Sequence, residues 1–256
     1  MIRGIDASMD CTPYASNLQA QGIGFIARYY SNLARTRNPA KVLTPREAHN
    51  LGQAGFSLVA VWEFLAIPGY FTGPQGEADG EYAYRYATEV IRQPENSAIY
   101  FAVDFDATQA QFVQGVVPYF QGVAQSLSDI GGNQPIYSMG VYGSGAVCAA
   151  LKQAGLVRFT WLSQSNGWQG SQSYQDWNIR QGPLVSHPPF QFDENIANED
   201  FGGFRLSFEN NSTLPAFELS ADALTRSATN TSTKDNATRK RTSPAAGRIK
   251  RRRSRG

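Results

Sequence analysis

The 256-residue sequence has little of what marks membrane, disulfide-rich or metal-binding proteins. No stretch approaches the roughly 20 consecutive apolar residues that a membrane-spanning helix requires. There are only two cysteines, Cys11 and Cys148, and two histidines, His49 and His187, and none has the spacing of a metal site or a redox motif. We expect both cysteines to be buried reduced thiols, and a disulfide between them remains an alternative. We expect neither a metal nor a cofactor.

The first residues, "MIRGIDAS", lack the apolar segment of a signal peptide and have the pattern of a strand. This predicts cytoplasmic synthesis without a membrane span, so lysis or a nonclassical exporter would have to deliver the protein to any extracellular substrate. The composition, with 41% hydrophobic and 17% charged residues, is that of an ordinary globular protein.

Acidic residues are absent from the last 18 residues, which carry nine Lys/Arg. Because the whole chain carries +2, residues 1–238 carry −7. Residues 209–256 are rich in Ser, Thr, Asn and Arg and have no sustained hydrophobic period, so we predict a disordered basic tail there. Its partner would be nucleic acid, an anionic wall polymer or a nuclear import receptor, unless the tail is only a solvated extension.

Residues 1–208 alternate between short apolar runs and helix-like segments. The helix pattern is clearest after Thr44, a predicted N-cap that Pro45 and Glu47 follow, with Gly55 as the stop signal. The predicted strands cover residues 2–6, 24–30, 56–64, 98–104, 135–143, 159–165, 177–182 and 190–196. Eight strands alternating with helices indicate an α/β domain, a small (β/α)8 TIM-like barrel of parallel strands. A doubly wound open sheet remains an alternative, although no Gly-rich phosphate loop follows the first strand.

Acidic residues end several of the predicted strands. In "IYFAVDFDAT", five apolar residues precede Asp104 and Asp106, and side-chain alternation places both acids on one face of that strand. Parallel barrel strands bring their carboxyl ends to one mouth, where active sites lie in this fold. The sequence therefore predicts that five carboxylates converge there: Asp6, Glu63, Asp104, Asp106 and Asp193.

Clustered carboxylates are typical of glycoside hydrolases, because one acid protonates the leaving oxygen while another stabilises or attacks the sugar. Structural roles remain open for each of them: Asp6 as the cap of the first helix, Asp106 as the cap of the fourth, and Glu63 as the partner of Arg28. Hard cations also accept clustered carboxylates. Substrate contacts are expected from strand-end residues, with packing as the alternative for the aromatic rings: Arg28, Tyr30, Trp62, Tyr142, Trp161 and Gln181.

Several segments in order resemble one known family: "GIDAS", "GFIARYY", "LTPREAHNLGQAGFSLVAVWE", "IYFAVDFDAT", "PIYSMGVYGSGAV" and "FDENIANEDFGG". Over residues 1–206 the chain resembles the glycoside-hydrolase-like domain catalogued as domain of unknown function 1906, related to the family 25 lysozyme barrels. The resemblance implies a TIM-like barrel with a carbohydrate-directed, cell-wall-directed role.

The resemblance implies matches to acids of the lysozyme relatives. Asp6 matches the acid that ends their first strand, and Asp193 matches the acid of their last strand. Asp104 matches the Asp of an Asp-x-Glu pair, and Asp106 stands where the proton-donating Glu would be. The side chain of Asp is one methylene shorter than that of Glu. Misplacing a proton donor by about 1 Å can reduce the reaction rate 100-fold.

The sequence thus leaves three hypotheses. The first is a hydrolase, acting as a monomer on peptidoglycan or a related polysaccharide. In it Asp104 orients the sugar or stabilises its charge, and Asp106 or Glu63 donates the proton, while Asp6 and Asp193 complete the electrostatic surroundings. The second is a noncatalytic glycan-binding barrel, which the departure at Asp106 favours. The third is a scaffold whose function lies in the basic tail, so that deletion of residues 209–256 would abolish function.

Overall fold

The computed structural model describes residues 1–132, 135–187 and 189–206. Each predicted strand is present, within a few residues of its expected ends. The eight strands are β1 (Ile2–Asp6), β2 (Phe25–Tyr30), β3 (Ser57–Trp62), β4 (Ala98–Ala102), β5 (Ser138–Gly143), β6 (Phe159–Leu162), β7 (Ile179–His187) and β8 (Phe190–Ala197).

The strands close into a barrel in chain order, which excludes the open-sheet alternative. Strands β1 to β7 pair in parallel, but β8 runs antiparallel to both β7 and β1. The expectation of a uniformly parallel TIM-like barrel is therefore wrong for the last strand. Because β7 ends at His187 and β8 begins at Phe190, too few residues lie between them for the crossover that a parallel neighbour requires.

Helices cover the outside of the parallel strands. They are α1 (Ala15–Ala20), α2 (Pro45–Gln53), α3 (Gly73–Arg85), α4 (Gln109–Gln111), α5 (Val117–Ile130) and α6 (Gly145–Gln153). Helix α3 continues into the π-helical Tyr86–Ile91, α4 joins α5 through the π-helical Phe112–Val116, and short 3-10 turns occur at Thr12–Tyr14, Pro39–Lys41 and Pro68–Tyr70.

Helix α2 begins as its sequence predicts. The Thr44 side chain accepts a hydrogen bond of 3.1 Å from the backbone N–H of Glu47, and Pro45 occupies the first turn. Gly55 adopts φ +90 just beyond the helix end. Only Gly takes such a conformation without strain, so these local signals define both ends of the helix.

Two apolar layers follow from the alternation of side chains along the strands. Tyr100 lies inside the barrel with Phe25 and Trp161, whereas Ile99 and Phe101 face the helices. The predicted division of β4 into a helix-facing side and an interior side is confirmed. Residues that continue the interior set beyond a strand's carboxyl end reach the mouth of the barrel.

Cys11 and Cys148 are both free thiols and both buried, so the disulfide alternative is wrong. Burial raises the pKa of each thiol to about 12. Within the described residues, no helix has the length and apolar character to cross a bilayer. The predicted tail at residues 209–256, its basic clusters and the domain boundary at residue 208 lie outside the part of the chain that the structure describes.

Candidate functional site

A cavity of about 310 Å³ opens at the mouth of the barrel, and four of the five predicted acids line it. Its other polar walls come from tyrosine, lysine, serine and amide side chains. The complete lining is Asp6, Tyr29, Lys41, Val61, Glu63, Asp104, Tyr142, Trp161, Gln164, Ser165, Gln181 and Asp193. We call this cavity the acidic pocket.

Strand geometry explains how the acids meet. Asp6 is the last residue of β1, while Glu63 and Asp104 follow the ends of β3 and β4 on the interior side. Asp193 lies in the first half of β8 and pairs directly with Asp6. Because β8 is antiparallel, its beginning, and not its end, lies at the mouth. The expected location of Asp193 thus holds although its strand direction is reversed.

Asp6 lies at the base of the pocket and is only 3% exposed. Its carboxylate accepts hydrogen bonds from the Tyr29 hydroxyl at 3.1 Å, the Gln181 amide at 3.0 Å and the Asn195 amide at 2.8 Å. Burial raises the pKa of Asp6 to about 7, and the charge of Asp193 adds to this while the hydrogen bonds oppose it. These bonds occupy the carboxylate within the barrel, so the alternative of a helix cap for Asp6 is wrong.

The two amide groups that contact Asp6 are themselves fixed in orientation. The Tyr142 hydroxyl donates to Gln181 Oε1 at 2.9 Å, and the Trp161 indole N–H donates to Asn195 Oδ1 at 2.9 Å. The Tyr142 and Trp161 rings meet edge to face, with centroids 5.3 Å apart. A satisfied polar network of this kind holds each amide with its N–H₂ group directed at Asp6.

Glu63 is paired with Lys41, whose Nζ lies 2.9 Å from Glu63 Oε1. The same ammonium group lies 3.8 Å from the centroid of the Tyr29 ring. The expected pairing of Glu63 with Arg28 is wrong. Lys41 reaches the pocket from the short Pro39–Lys41 helix and places one positive charge among the four acids.

Three residues expected to contact substrate lie instead under the helices. Arg28 is fully buried, and its Nε lies 2.7 Å from Glu47 Oε1. The Tyr30 hydroxyl donates to Gln93 Oε1 at 2.8 Å. Trp62 packs against Tyr82, with ring centroids 5.5 Å apart. The expectation of substrate contact is wrong for Arg28, Tyr30 and Trp62, because alternation directs these positions outward.

Asp104 and Asp193 face the open part of the acidic pocket. Loss of solvation raises the pKa of Asp104, the charge of Glu63 raises it further and Lys41 lowers it. Loss of solvation also raises the pKa of Asp193, which accepts a hydrogen bond of 3.0 Å from the Gln164 amide. Among the described residues, no side chain or backbone group donates a hydrogen bond to Asp104.

Asp106 does not line the acidic pocket, so the expectation that it joins the other acids is wrong. Alternation continues beyond the end of β4 as far as Asp104, but the chain bends at Phe105, so Asp106 does not continue the interior side. Asp106 Oδ1 accepts a hydrogen bond of 3.0 Å from the backbone N–H of Gln169 and so stabilises the loop after β6. The helix cap proposed for Asp106 is also wrong, because Thr108 caps α4.

Five lining residues are not among the predicted site residues: Tyr29, Lys41, Val61, Gln164 and Ser165. Asn195, which donates to Asp6, is a further residue that was not predicted. Strict alternation along β2 would have selected Tyr29 over Tyr30, and alternation from Asp193 would have selected Asn195. No local signal marks Lys41 or Gln164, because both lie outside the strands. Among residues 1–132, 135–187 and 189–206, no group of three or more His, Cys, Asp or Glu is placed to hold a metal ion.

A closed barrel with an acidic pocket at its mouth is the architecture of glycoside-hydrolase-like proteins. The family described as Rv2525c-like, glycoside hydrolase-like domain matches residues 16–199. The chain belongs to this family, which agrees with the resemblance found in its sequence motifs.

Two proteins of Bacillus subtilis (strain 168) are similar to the chain. The uncharacterized protein FadG is 28% identical over 163 residues, covering 62% of this chain and 27% of FadG. The uncharacterized protein YbfG is 29% identical over 166 residues, covering 62% of this chain and 22% of YbfG. The matched region therefore spans about a quarter of the length of these relatives.

Solved structures share the fold at low sequence identity. The Mycobacterium tuberculosis Tat-secreted protein Rv2525c in complex with L-tartrate has a TM-score of 0.65 and 18% identity, covering 78% of this chain and 98% of that one. The same protein in complex with HEPES has a TM-score of 0.66 and 17% identity, with the same coverage. An uncharacterized B. stearothermophilus protein has a TM-score of 0.57 and 17% identity, covering 78% and 97%.

Proposed function

We propose that the protein is a glycoside hydrolase that cleaves peptidoglycan or a related cell-wall polysaccharide by carboxylate acid/base chemistry, without a cofactor. The observation that carries this proposal is the convergence of Asp6, Glu63, Asp104 and Asp193 on one open pocket. Hydrolysis of a glycosidic bond requires one protonated and one ionised carboxyl group on opposite sides of the bond. A pocket with four acids in unequal surroundings supplies both states.

Asp104 is the proton donor in this proposal. Its pKa is raised by loss of solvation and by Glu63, so more of it is protonated near neutral pH than for an ordinary aspartate. It is exposed at the mouth, and no described group donates a hydrogen bond to it, so its proton is available to the leaving oxygen. This assignment replaces Asp106, whose carboxylate is occupied by the loop after β6.

Glu63 and Asp193 are the two candidates for the carboxylate that acts together with Asp104. Lys41 lies 2.9 Å from Glu63 and holds its carboxyl group in the pocket, where it can face a positively charged transition state. Gln164 orients Asp193 in the same cavity. One of the two acts on the anomeric carbon or on the attacking water, with Asp104 on the leaving-group side.

Asp6 and Trp161 are positioning residues. Asp6 is buried, and it holds the amides of Gln181 and Asn195 in place. Trp161 is only 2% exposed and acts through its hydrogen bond to Asn195 and its contact with Tyr142. The half-buried Tyr142 ring and the Gln181 amide then present an aromatic edge and a polar group to a sugar.

The relatives support a pocket for polar organic molecules. Rv2525c was crystallised with L-tartrate, a hydroxylated diacid, and with HEPES. Its description as Tat-secreted agrees with a wall-directed role for this chain. The proposal assigns the chain an exported location, a polysaccharide partner and action as a monomer.

The test is the release of reducing ends from purified cell walls and from chitin oligosaccharides by the full-length protein. The matched control is Asp104→Asn, which keeps the side-chain shape but cannot deliver a proton. Release by the parent and not by the variant is the expected result. Equal release by both would refute the assignment of Asp104.

A noncatalytic glycan-binding barrel is the second candidate, and one observation favours it. Asp6, Glu63 and Asp193 each have a protein partner, so only Asp104 carries an unengaged carboxyl group. This candidate predicts measurable glycan affinity without new reducing ends, and affinity that survives in Asp104→Asn. Turnover by the parent protein would exclude it.

A further inference from the structure

A second cavity lies beside the acidic pocket, between the carboxyl end of β6 and the first half of β7. It has a volume of about 220 Å³ and shares the side chains of Gln164 and Gln181 with the acidic pocket. Asn166 and Arg180 also line it. The two cavities are therefore neighbours separated by two amide side chains, and one extended ligand can occupy both.

A bulge in β7 forms part of the second cavity. The pairing of β7 with β8 shifts register between Gln181 and Leu184. The intervening residues, Gly182 and Pro183, both line the cavity. Bulges bend a strand, redirect its side chains and are frequent beside functional sites. The bulge therefore forms one wall of the cavity.

The two cavities differ in charge. The acidic pocket has four acids and one lysine in its lining, whereas the second cavity has Arg180 and no acid. The Arg180 side chain is exposed and, in the described part of the chain, makes no ion pair or hydrogen bond. Glu194, an acid on the adjacent strand, is paired with Arg3 at 3.8 Å. The Arg180 guanidinium is therefore available to an external anion.

We infer that the second cavity is a subsite for a sugar unit that carries a carboxylate, next to the unit bound in the acidic pocket. This inference rests on the proposed function and specifies its substrate class. Four acids repel a carboxylate from the first cavity, and Arg180 attracts it to the second, where a guanidinium can bind both oxygens. The Gln164 and Asn166 amides supply partners for the hydroxyl groups of the same sugar.

The experiment measures binding, so that it does not depend on turnover. Full-length Asp104→Asn protein is titrated calorimetrically with two carboxylated oligosaccharides, one containing uronic acid and the other the peptide-free glycan of peptidoglycan with its lactyl carboxylates. Each is compared with the same oligosaccharide after reduction of its carboxylates to alcohols. The variants are Arg180→Gln, Arg180→Lys and, as the matched control, Arg205→Gln. Arg205 is exposed and follows Phe204, which pairs with Leu58 near the beginning of β3, away from the mouth.

We expect Arg180→Gln to weaken binding of one carboxylated oligosaccharide about fivefold, with no change for its reduced form. Arg180→Lys retains part of the preference, and Arg205→Gln leaves both affinities unchanged. The oligosaccharide that shows this dependence identifies the carboxylate as a uronic acid or a lactyl group. Because every variant keeps the basic tail, nonspecific attraction by the tail cancels in the comparison.

Two results would overturn the inference. Equal losses for Arg180→Gln and Arg205→Gln, or equal losses for charged and reduced ligands, would remove the subsite while leaving the proposed function in place. If no oligosaccharide binds in either form, the proposed function and the inference fail together.

Discussion

Asp6 and Asp193 lie directly opposite each other across the antiparallel pair of β1 and β8. Residues paired in this way have Cα atoms about 4.5 to 5.5 Å apart and side chains on the same face. The charge of Asp193 therefore adds to the effect of burial in raising the pKa of Asp6 to about 7. Two strands that run in opposite directions thus place neighbouring acids in one pocket, and their coupling has consequences for stability.

The free energy of unfolding should decrease as the pH rises from about 4 to about 7, in part because of the raised pKa of Asp6. Its pKa moves from 3.8 to about 7 on folding, so the folded state binds more protons than the unfolded state between these values. The contribution of Asp6 is most favourable below about pH 4 and is lost as the pH rises to about 7. In Asp6→Asn, the decrease in unfolding free energy from pH 5 to pH 8 should be smaller by about 2 kcal/mol.

Urea unfolding of the wild type and Asp6→Asn at both pH values measures this difference. The Asn side chain can still accept from Gln181 and Asn195 and donate to the Tyr29 hydroxyl, so the fold should be retained. Parallel pH dependence in the two proteins would contradict the raised pKa of Asp6.

Lys41 and Glu63 should shift the titration of Asp104 in opposite directions. Lys41 lowers the pKa of Asp104 and Glu63 raises it. Lys41→Met should therefore raise this pKa and move the alkaline limb of the activity profile to higher pH, whereas Glu63→Gln should lower it. Carboxyl carbon NMR of labelled Asp104 measures the pKa independently of activity. Shifts of the same sign in both variants would be inconsistent with this electrostatic arrangement.

Asp104 and Asp106 should respond very differently to the same substitution. Loss of a general acid typically reduces the rate by about 100-fold to 10,000-fold, and we expect Asp104→Asn to fall in this range. Asp106→Asn retains an oxygen that can accept the Gln169 N–H, so its activity should remain within about threefold of the parent. The two variants are compared with the parent by their rates of reducing-end release. A larger loss for Asp106→Asn would return the proton donor to that position.

The buried ion pair between Arg28 and Glu47 should be costly to break from one side. Arg28 also donates to the backbone oxygens of Ala7 and Lys41, so it joins the loops that follow β1 and β2. Arg28→Met leaves Glu47 buried without its partner and should reduce the unfolding free energy by about 3 to 5 kcal/mol. Denaturant unfolding of the wild type and of Arg28→Met measures this loss of unfolding free energy.

The double variant Arg28→Met, Glu47→Leu is the control for that prediction. Removing both charges avoids the cost of one unpaired ion, so the double variant should be more stable than Arg28→Met alone. An additive loss in the double variant would show that the two side chains do not act as a pair.

Much of the fold could be predicted from the sequence because its signals are local. Apolar runs fixed the approximate limits of all eight strands, and the Thr44, Pro45 and Gly55 signals defined α2. Alternation along β4 assigned Tyr100 to the interior and Phe101 to the helix layer. These features depend on residues within a few positions of one another, and a single sequence contains that information.

The composition of the pocket was only partly predictable. Asp6, Glu63, Asp104 and Asp193 were selected as strand-end acids, and the structure brings them together. The prediction for Asp106 is wrong because the chain bends at Phe105, after Asp104 and before Asp106. Tyr29, and not Tyr30, lies on the interior side of β2, as alternation from Phe25 and Ala27 predicts. Side-chain alternation therefore predicts a site only up to the first bend of the chain after each strand.

The strands, the helix caps and the clustering of acids at strand ends follow from local sequence signals. Tertiary structure alone decided that Lys41, and not Arg28, pairs with Glu63, since residues 22 positions apart meet there. It also decided that Asn195 reaches Asp6 across 189 positions. Such contacts depend on barrel closure and the reversed direction of β8, which arise from the packing of the whole chain and from no local pattern.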